Sequence, residues 1–125
     1  MAKRQKDEKD KMKKISKPWG HELIWAETGD YVGKILYIKK GHRLSRQYHE
    51  KKEETIMVRS GNLIVEVGDP NGKSFQRLNL GVDEIFHVHP KTIHRFCAGE
   101  SDVSIVEVST PFLDDVVRLD DDYKR

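Results

Sequence analysis

The stretch at residues 41–61, GHRLSRQYHEKKEETIMVRSG, decides how this chain is read. Between its two glycines, Gln47 and His49 stand two apart and Glu54 follows five residues later. From Glu54 onward the sequence alternates, with Glu54, Ile56 and Val58 on one side and Thr55, Met57 and Arg59 on the other, which is the period of a β-strand. A carboxylate on the apolar side of a strand is costly to bury unless a cation compensates it. His94, within VHPKTIHRF at residues 88–96, sits on a similar face with Phe96 and Ala98. If the sheet closes so that Gln47, His49, Glu54 and His94 meet, they supply one amide, one carboxylate and two imidazoles. That donor set suits a divalent ion such as zinc, iron, manganese, cobalt or nickel. It lacks the thiolates of a closed structural zinc site, so an open catalytic or substrate-binding centre is expected.

Working outward, strands are expected at residues 31–38, 54–59, 63–67, 75–80, 84–88, 93–98 and 103–109. Turn signals separate them: Ser60-Gly61-Asn62, the run at 68–72, Pro90-Lys91-Thr92 and residues 99–102. Upstream, Lys17-Pro18-Trp19-Gly20 leads into Leu23, Ile24 and Trp25, a segment suited to an edge strand or lid. The tail after Pro111 reads as a short strand or turn packed on the body. Short strands at this spacing, with no long helical pattern, predict an all-β sandwich or barrel.

The 125 residues suffice for one domain with a compact core, since 36% are hydrophobic and 35% charged. The formal charge of +2 is uneven: residues 1–14 hold seven Lys/Arg against three Asp/Glu, leaving the remainder slightly acidic. We therefore expect a flexible charged arm at 1–14, a domain at 15–125 and no nucleic-acid partner. Cys97 is the sole cysteine, so no internal disulfide can form, which suits a reducing cytoplasm. No membrane span or secretory signal is legible, and a cytoplasmic location is expected.

The pattern Gly41-x5-Gln47-x-His49-x4-Glu54-x6-Gly61, followed by a proline turn and His94, resembles the paired motifs of the cupin superfamily. Many cupins carry His where this chain has Gln47. That substitution resembles the metal set of the phosphomannose isomerases, especially the cupin domain of the bifunctional bacterial isomerase/GDP-mannose pyrophosphorylases, here expected as a stand-alone domain. Lys17-Pro18-Trp19-Gly20, the run Leu44-Ser45-Arg46-Gln47-Tyr48-His49, and Asp114-Asp115-Val116-Val117-Arg118 with Asp121 and Tyr123 carry the same resemblance. It implies a double-stranded β-helix (jelly-roll) barrel. It also implies a divalent metal, zinc foremost, on Gln47, His49, Glu54 and His94, and a homodimer. The implied substrate is a sugar phosphate such as mannose 6-phosphate, interconverted with its ketose. Two departures stand out. His89-Pro90-Lys91-Thr92-Ile93-His94 shifts the usual proline by one place and lacks the usual glycine, and the ending reads Tyr123-Lys124-Arg125 instead of Tyr-Gly-Arg.

Aldose–ketose isomerisation requires a base for the proton beside the carbonyl and a cation for the phosphate. Glu107 and His87 are the candidate bases, depending on which strand face points inward. Arg118 is the first candidate for the phosphate through the tail resemblance, with Arg46 and Lys34 next by position. Arg95 adjoins His94 but alternates to the opposite face. His21, His42 and His89 are read as exposed or supporting residues, Trp19 and Trp25 as packing, and Cys97 as buried. Two other readings are a non-catalytic cupin that binds a sugar or metabolite, and a metal-dependent dioxygenase, the latter disfavoured by Gln47.

Overall fold

The computed structural model describes residues 10–69, 71 and 73–124. Eleven strands follow one another: β1 (Lys13–Lys17), β2 (Gly20–Glu27), β3 (Val32–Ile38), β4 (Arg46–Tyr48), β5 (Glu54–Ser60), β6 (Leu63–Gly68), β7 (Phe75–Leu80), β8 (Ile85–Val88), β9 (His94–Ala98), β10 (Val103–Ser109) and β11 (Val117–Asp120). They form two antiparallel sheets, ordered β1-β2-β3-β10-β5-β8 and β11-β4-β9-β6-β7. No helix occurs among the described residues, and hence none long and apolar enough to cross a membrane.

The sequence-based strands match closely, and the tail forms a short strand as expected, but β1 and β4 are not among them and β2 is not an edge. Lys13 and Lys14, expected in the arm, pair with Ile24 and Leu23 in the first ladder, while residues 1–9 lie outside the described residues. β1 therefore covers β2. The tail becomes β11, pairing with β4 across Val117–Tyr48 and Arg118–Gln47.

The two sheets enclose a core of Trp19, Leu36, Ile38, Ile56, Val58, Leu63, Val65, Phe96, Val103 and Ile105, among others. Full burial of each such side chain is worth about 1.5–3 kcal/mol, which repays much of the chain entropy lost. Trp25 departs from its expected packing role. It is the extra residue of a β2 bulge between Ile24 and Ala26 and stays 48% exposed, its indole lying over Gly33. Gly20, at φ 152°, has to be glycine, because a Cβ there would strike the Tyr37 carbonyl oxygen.

One pattern positions the site. Four strands turn an apolar-to-polar gradient inward: Val58, Ile56, Glu54 on β5; Val103, Ile105, Glu107 on β10; Ile38, Leu36, Lys34 on β3; and Ala98, Phe96, His94 on β9. Cross-strand pairing of Glu107 with Lys34 and Ile105 with Val58 aligns these gradients. The barrel is therefore greasy at one end and charged at the other.

Candidate metal centre

At the charged end, β5 and β9 deliver Glu54 and His94, and the loop after β4 delivers His49. All three are buried, and one donor atom from each falls within 4.8 Å of the others. His94 Nε2 lies 3.4 Å and His49 Nε2 3.9 Å from Glu54 Oε1. The other ring nitrogens are oriented by backbone carbonyls: His49 Nδ1 is 2.6 Å from the Asp115 oxygen and His94 Nδ1 2.9 Å from the Thr92 oxygen. An Nδ1–H donated to each carbonyl leaves both Nε2 atoms as acceptors aimed at the carboxylate, and both are buried without a hydrogen-bond partner. Buried polar atoms are rarely left so, and a cation between two imidazole lone pairs and a carboxylate satisfies all three. The residues fit a divalent metal.

Gln47, the fourth expected ligand, faces the same cavity from β4, opposite His94 in register. Its Oε1 accepts a 2.8 Å hydrogen bond from Ser45 Oγ. Three of the four expected ligands thus converge directly, with the amide beside them.

The loop carrying His49 is held by Asp115, whose carboxylate accepts the backbone N–H groups of Glu50, Lys51 and Lys52 at 2.7–3.0 Å. These bonds hold the Asp115 carboxyl below its ordinary pKa. Lys91, at φ 68°, takes the left-handed turn where the resembled motif has glycine, and its N–H donates to the His49 carbonyl at 2.6 Å.

A residue the sequence reading missed adjoins the centre. Lys52 is buried, with Nζ 3.1 Å from Glu54 Oε2 and 3.2 Å from Glu107 Oε2. Burial opposes its charge, but Glu107 and Glu54 outweigh that and raise its pKa. Burial likewise opposes ionisation of Glu54, yet His94, Lys52 and His49 together hold its carboxyl below the ordinary range. Glu107 differs: burial, reinforced by the Glu54 charge, pushes it up to about 7. Burial also lowers the pKa of His49. Lys52 was discoverable in principle, since it precedes Glu54 by two residues and extended chain puts both on one side.

A cavity of about 290 Å³ opens from the centre, lined in part by Gln47, Lys52, Glu54, Glu107, Lys34 and Arg118. Glu107 and Arg118 therefore lie where a substrate could meet them. His87 does not. It alternates outward on β8, 2.7 Å from Glu53 Oε2, because Val88 takes the inward position opposite Glu54. Arg46 is also outside, bound to Glu66 and stacked 3.9 Å from the Phe75 ring centroid. Lys34 lines the cavity, paired with buried Glu22 at 3.3 Å. Arg95 is on the opposite face as expected, its Nε donating to the Leu44 carbonyl and its Nη atoms facing Asp120 and Asp122. His21 stacks on Tyr37, and His42 Nδ1 lies 2.7 Å from the Tyr123 hydroxyl, both away from the metal ligands.

Two short antiparallel sheets closed around an inward His/Glu cluster define a cupin, and solved structures agree on the fold. The capsular polysaccharide assembling protein CapF from Staphylococcus aureus superposes with TM-score 0.79 at 16% identity, over 91% of this chain and 34% of CapF. KdgF from Halomonas sp. gives 0.69 at 20% identity, over 82% of this chain and 86% of KdgF. Oxalate decarboxylase from Bacillus subtilis gives 0.75 at 14% identity, over 86% and 30% respectively. The chain spans about a third of the length of CapF. No curated protein matches it by sequence. Within the cupins the chain belongs to the mannose-6-phosphate isomerase C-terminal family, whose model matches residues 4–121.

Proposed function

We propose that the chain is a metal-dependent sugar-phosphate isomerase interconverting mannose 6-phosphate and its ketose. The observation that carries this reading is the cavity that meets the buried centre at its Glu54 and Gln47 and is lined as well by Glu107 and Arg118. Its volume of about 290 Å³ approaches the lower end of small-molecule sites, about 300–1,000 Å³. Family membership supports the substrate class.

His49, Glu54 and His94, with Gln47 beside them, would hold a divalent ion, which would supply Lewis-acid chemistry for the sugar carbonyl and hydroxyls. Glu107, buried and lining the same cavity, is placed to take and return the proton beside that carbonyl. Lys52 holds the Glu107 carboxylate and offers positive charge toward the enediolate. Lys34 is engaged by Glu22, whereas Arg118 makes no ion pair among the described residues and is free for a phosphate at the mouth. The protein is read as a cytoplasmic homodimer.

The alternative is a cupin that binds sugar without turning it over. NMR of mannose 6-phosphate with the metal-loaded protein decides between them. Appearance of the ketose resonances is expected. No ketose, with substrate still perturbing the centre, would instead establish the binder, and oxygen consumption would point to the dioxygenase.

A further inference from the structure

A second group of metal-ligating side chains lies outside the barrel wall. Glu53 adjoins Glu54 in sequence but faces outward, with Oε2 2.7 Å from His87 Nε2. His87 and His89, two apart at the end of β8, project to the same side with ring centroids 4.3 Å apart. One donor atom from each of Glu53, His87 and His89 lies within 4.8 Å of the others, and all three residues are exposed. A simple surface ion pair would need only Glu53 and His87; the third group makes a chelating face.

The three are partly ordered already. Thr55 Oγ1 lies 3.1 Å from His87 Nδ1, leaving Nε2 directed at the shared position, as metal-bound imidazoles are usually held. The Glu53 main chain is fixed at both ends by Thr110: its N–H donates to Oγ1 and its carbonyl accepts the Thr110 N–H, each at 3.0 Å. The His89 carbonyl accepts the Thr92 N–H at 3.2 Å.

We propose that Glu53, His87 and His89 form a second, surface binding site for a divalent transition-metal ion, separate from the interior centre. Two imidazoles and one carboxylate favour zinc, copper(II) or nickel over magnesium and calcium, which prefer all-oxygen surroundings. Water completes the coordination at an exposed position. Its ligands are solvated and less confined than the interior set, so it fills second.

The test is calorimetric titration of the untagged, metal-stripped full chain with Zn²⁺ alone. Wild type is expected to take two equivalents, the second more weakly. The His87→Ala/His89→Ala variant should keep the first and lose the second, and Glu53→Gln should weaken the second. Glu54→Gln should lose the first and keep the second, so failure of the interior centre is distinguishable from failure of this site. Wild-type binding of both equivalents by the double-alanine variant overturns the proposal, as does a single wild-type equivalent that this variant retains. The substituted side chains are exposed, and unchanged far-ultraviolet circular dichroism confirms that folding is intact.

Discussion

Glu54 is 3% exposed, and the buried Lys52 ammonium 3.1 Å from its Oε2 is the cation that compensates its charge there. Replacing it with Gln keeps the shape but removes the charge and a ligand oxygen. Glu54→Gln and His49→Ala should each lose the interior equivalent of metal, measured as metal-to-protein ratio after dialysis. Undiminished stoichiometry in both would sink the ligand assignment. Glu107 makes a prediction of the opposite sign to an ordinary acid. Its folded-state pKa is about 7 against an ordinary 4.5, so the folded protein keeps a proton that the unfolded chain releases between those values. The Glu107 contribution to the stability of the metal-free protein should therefore fall as pH rises through that window, opposed by His49, whose burial-lowered pKa acts the other way. Glu107→Gln should shift the pH slope of stability upward. Urea unfolding at about pH 5 and about pH 8 measures this directly; an unaltered slope in the variant would show that Glu107 is not the group responsible.

At the scale of elements, the turn between β8 and β9 and the strand β11 do the positioning. Lys91 occupies a left-handed conformation that glycine adopts without steric cost, while its N–H anchors the His49 loop. Lys91→Gly should stabilise the protein by up to about 1 kcal/mol, read as a higher Tm, with the metal centre intact. Arg95 is 1% exposed and ties β9 to the β4 approach and the tail through the Leu44 and Asp120 carbonyls. Arg95→Ala should cost about 3 kcal/mol in chemical denaturation and loosen β11, lowering affinity for phosphorylated ligands through Arg118. Unchanged stability would mean that the tail is held by other contacts. β5 and β9 were legible in sequence because Glu54-Ile56-Val58 and His94-Phe96-Ala98 each combine period two with one misplaced polar group. The β1 start at Lys13 was not, since a run of lysines carries no strand signal and acquires order only by pairing with β2.

For the whole molecule, the outer face of the six-stranded sheet carries a row of apolar residues in register: Leu23, Ile35, Val106, Met57 and Ile85. Ile85 is 66% exposed and Met57 38%. A contiguous apolar row of this kind favours association, and the proposed homodimer would bury it. Sedimentation should give a dimer for wild type and a monomer for a Met57→Glu/Ile85→Glu variant; a monomeric wild type would remove the dimer from the model of function.

By itself, the sequence determined the strand pattern, the inward direction of Glu54 and His94, and the family, because alternation and spacing are local properties of an extended chain. Tertiary structure alone decided which faces meet. Ladder register turned Glu107 inward beside Lys52 and sent His87 outward to Glu53. It also brought the Asp115 carbonyl, 66 residues away, onto His49. Such pairings depend on sheet closure, which links positions distant in sequence and leaves no local periodicity to read.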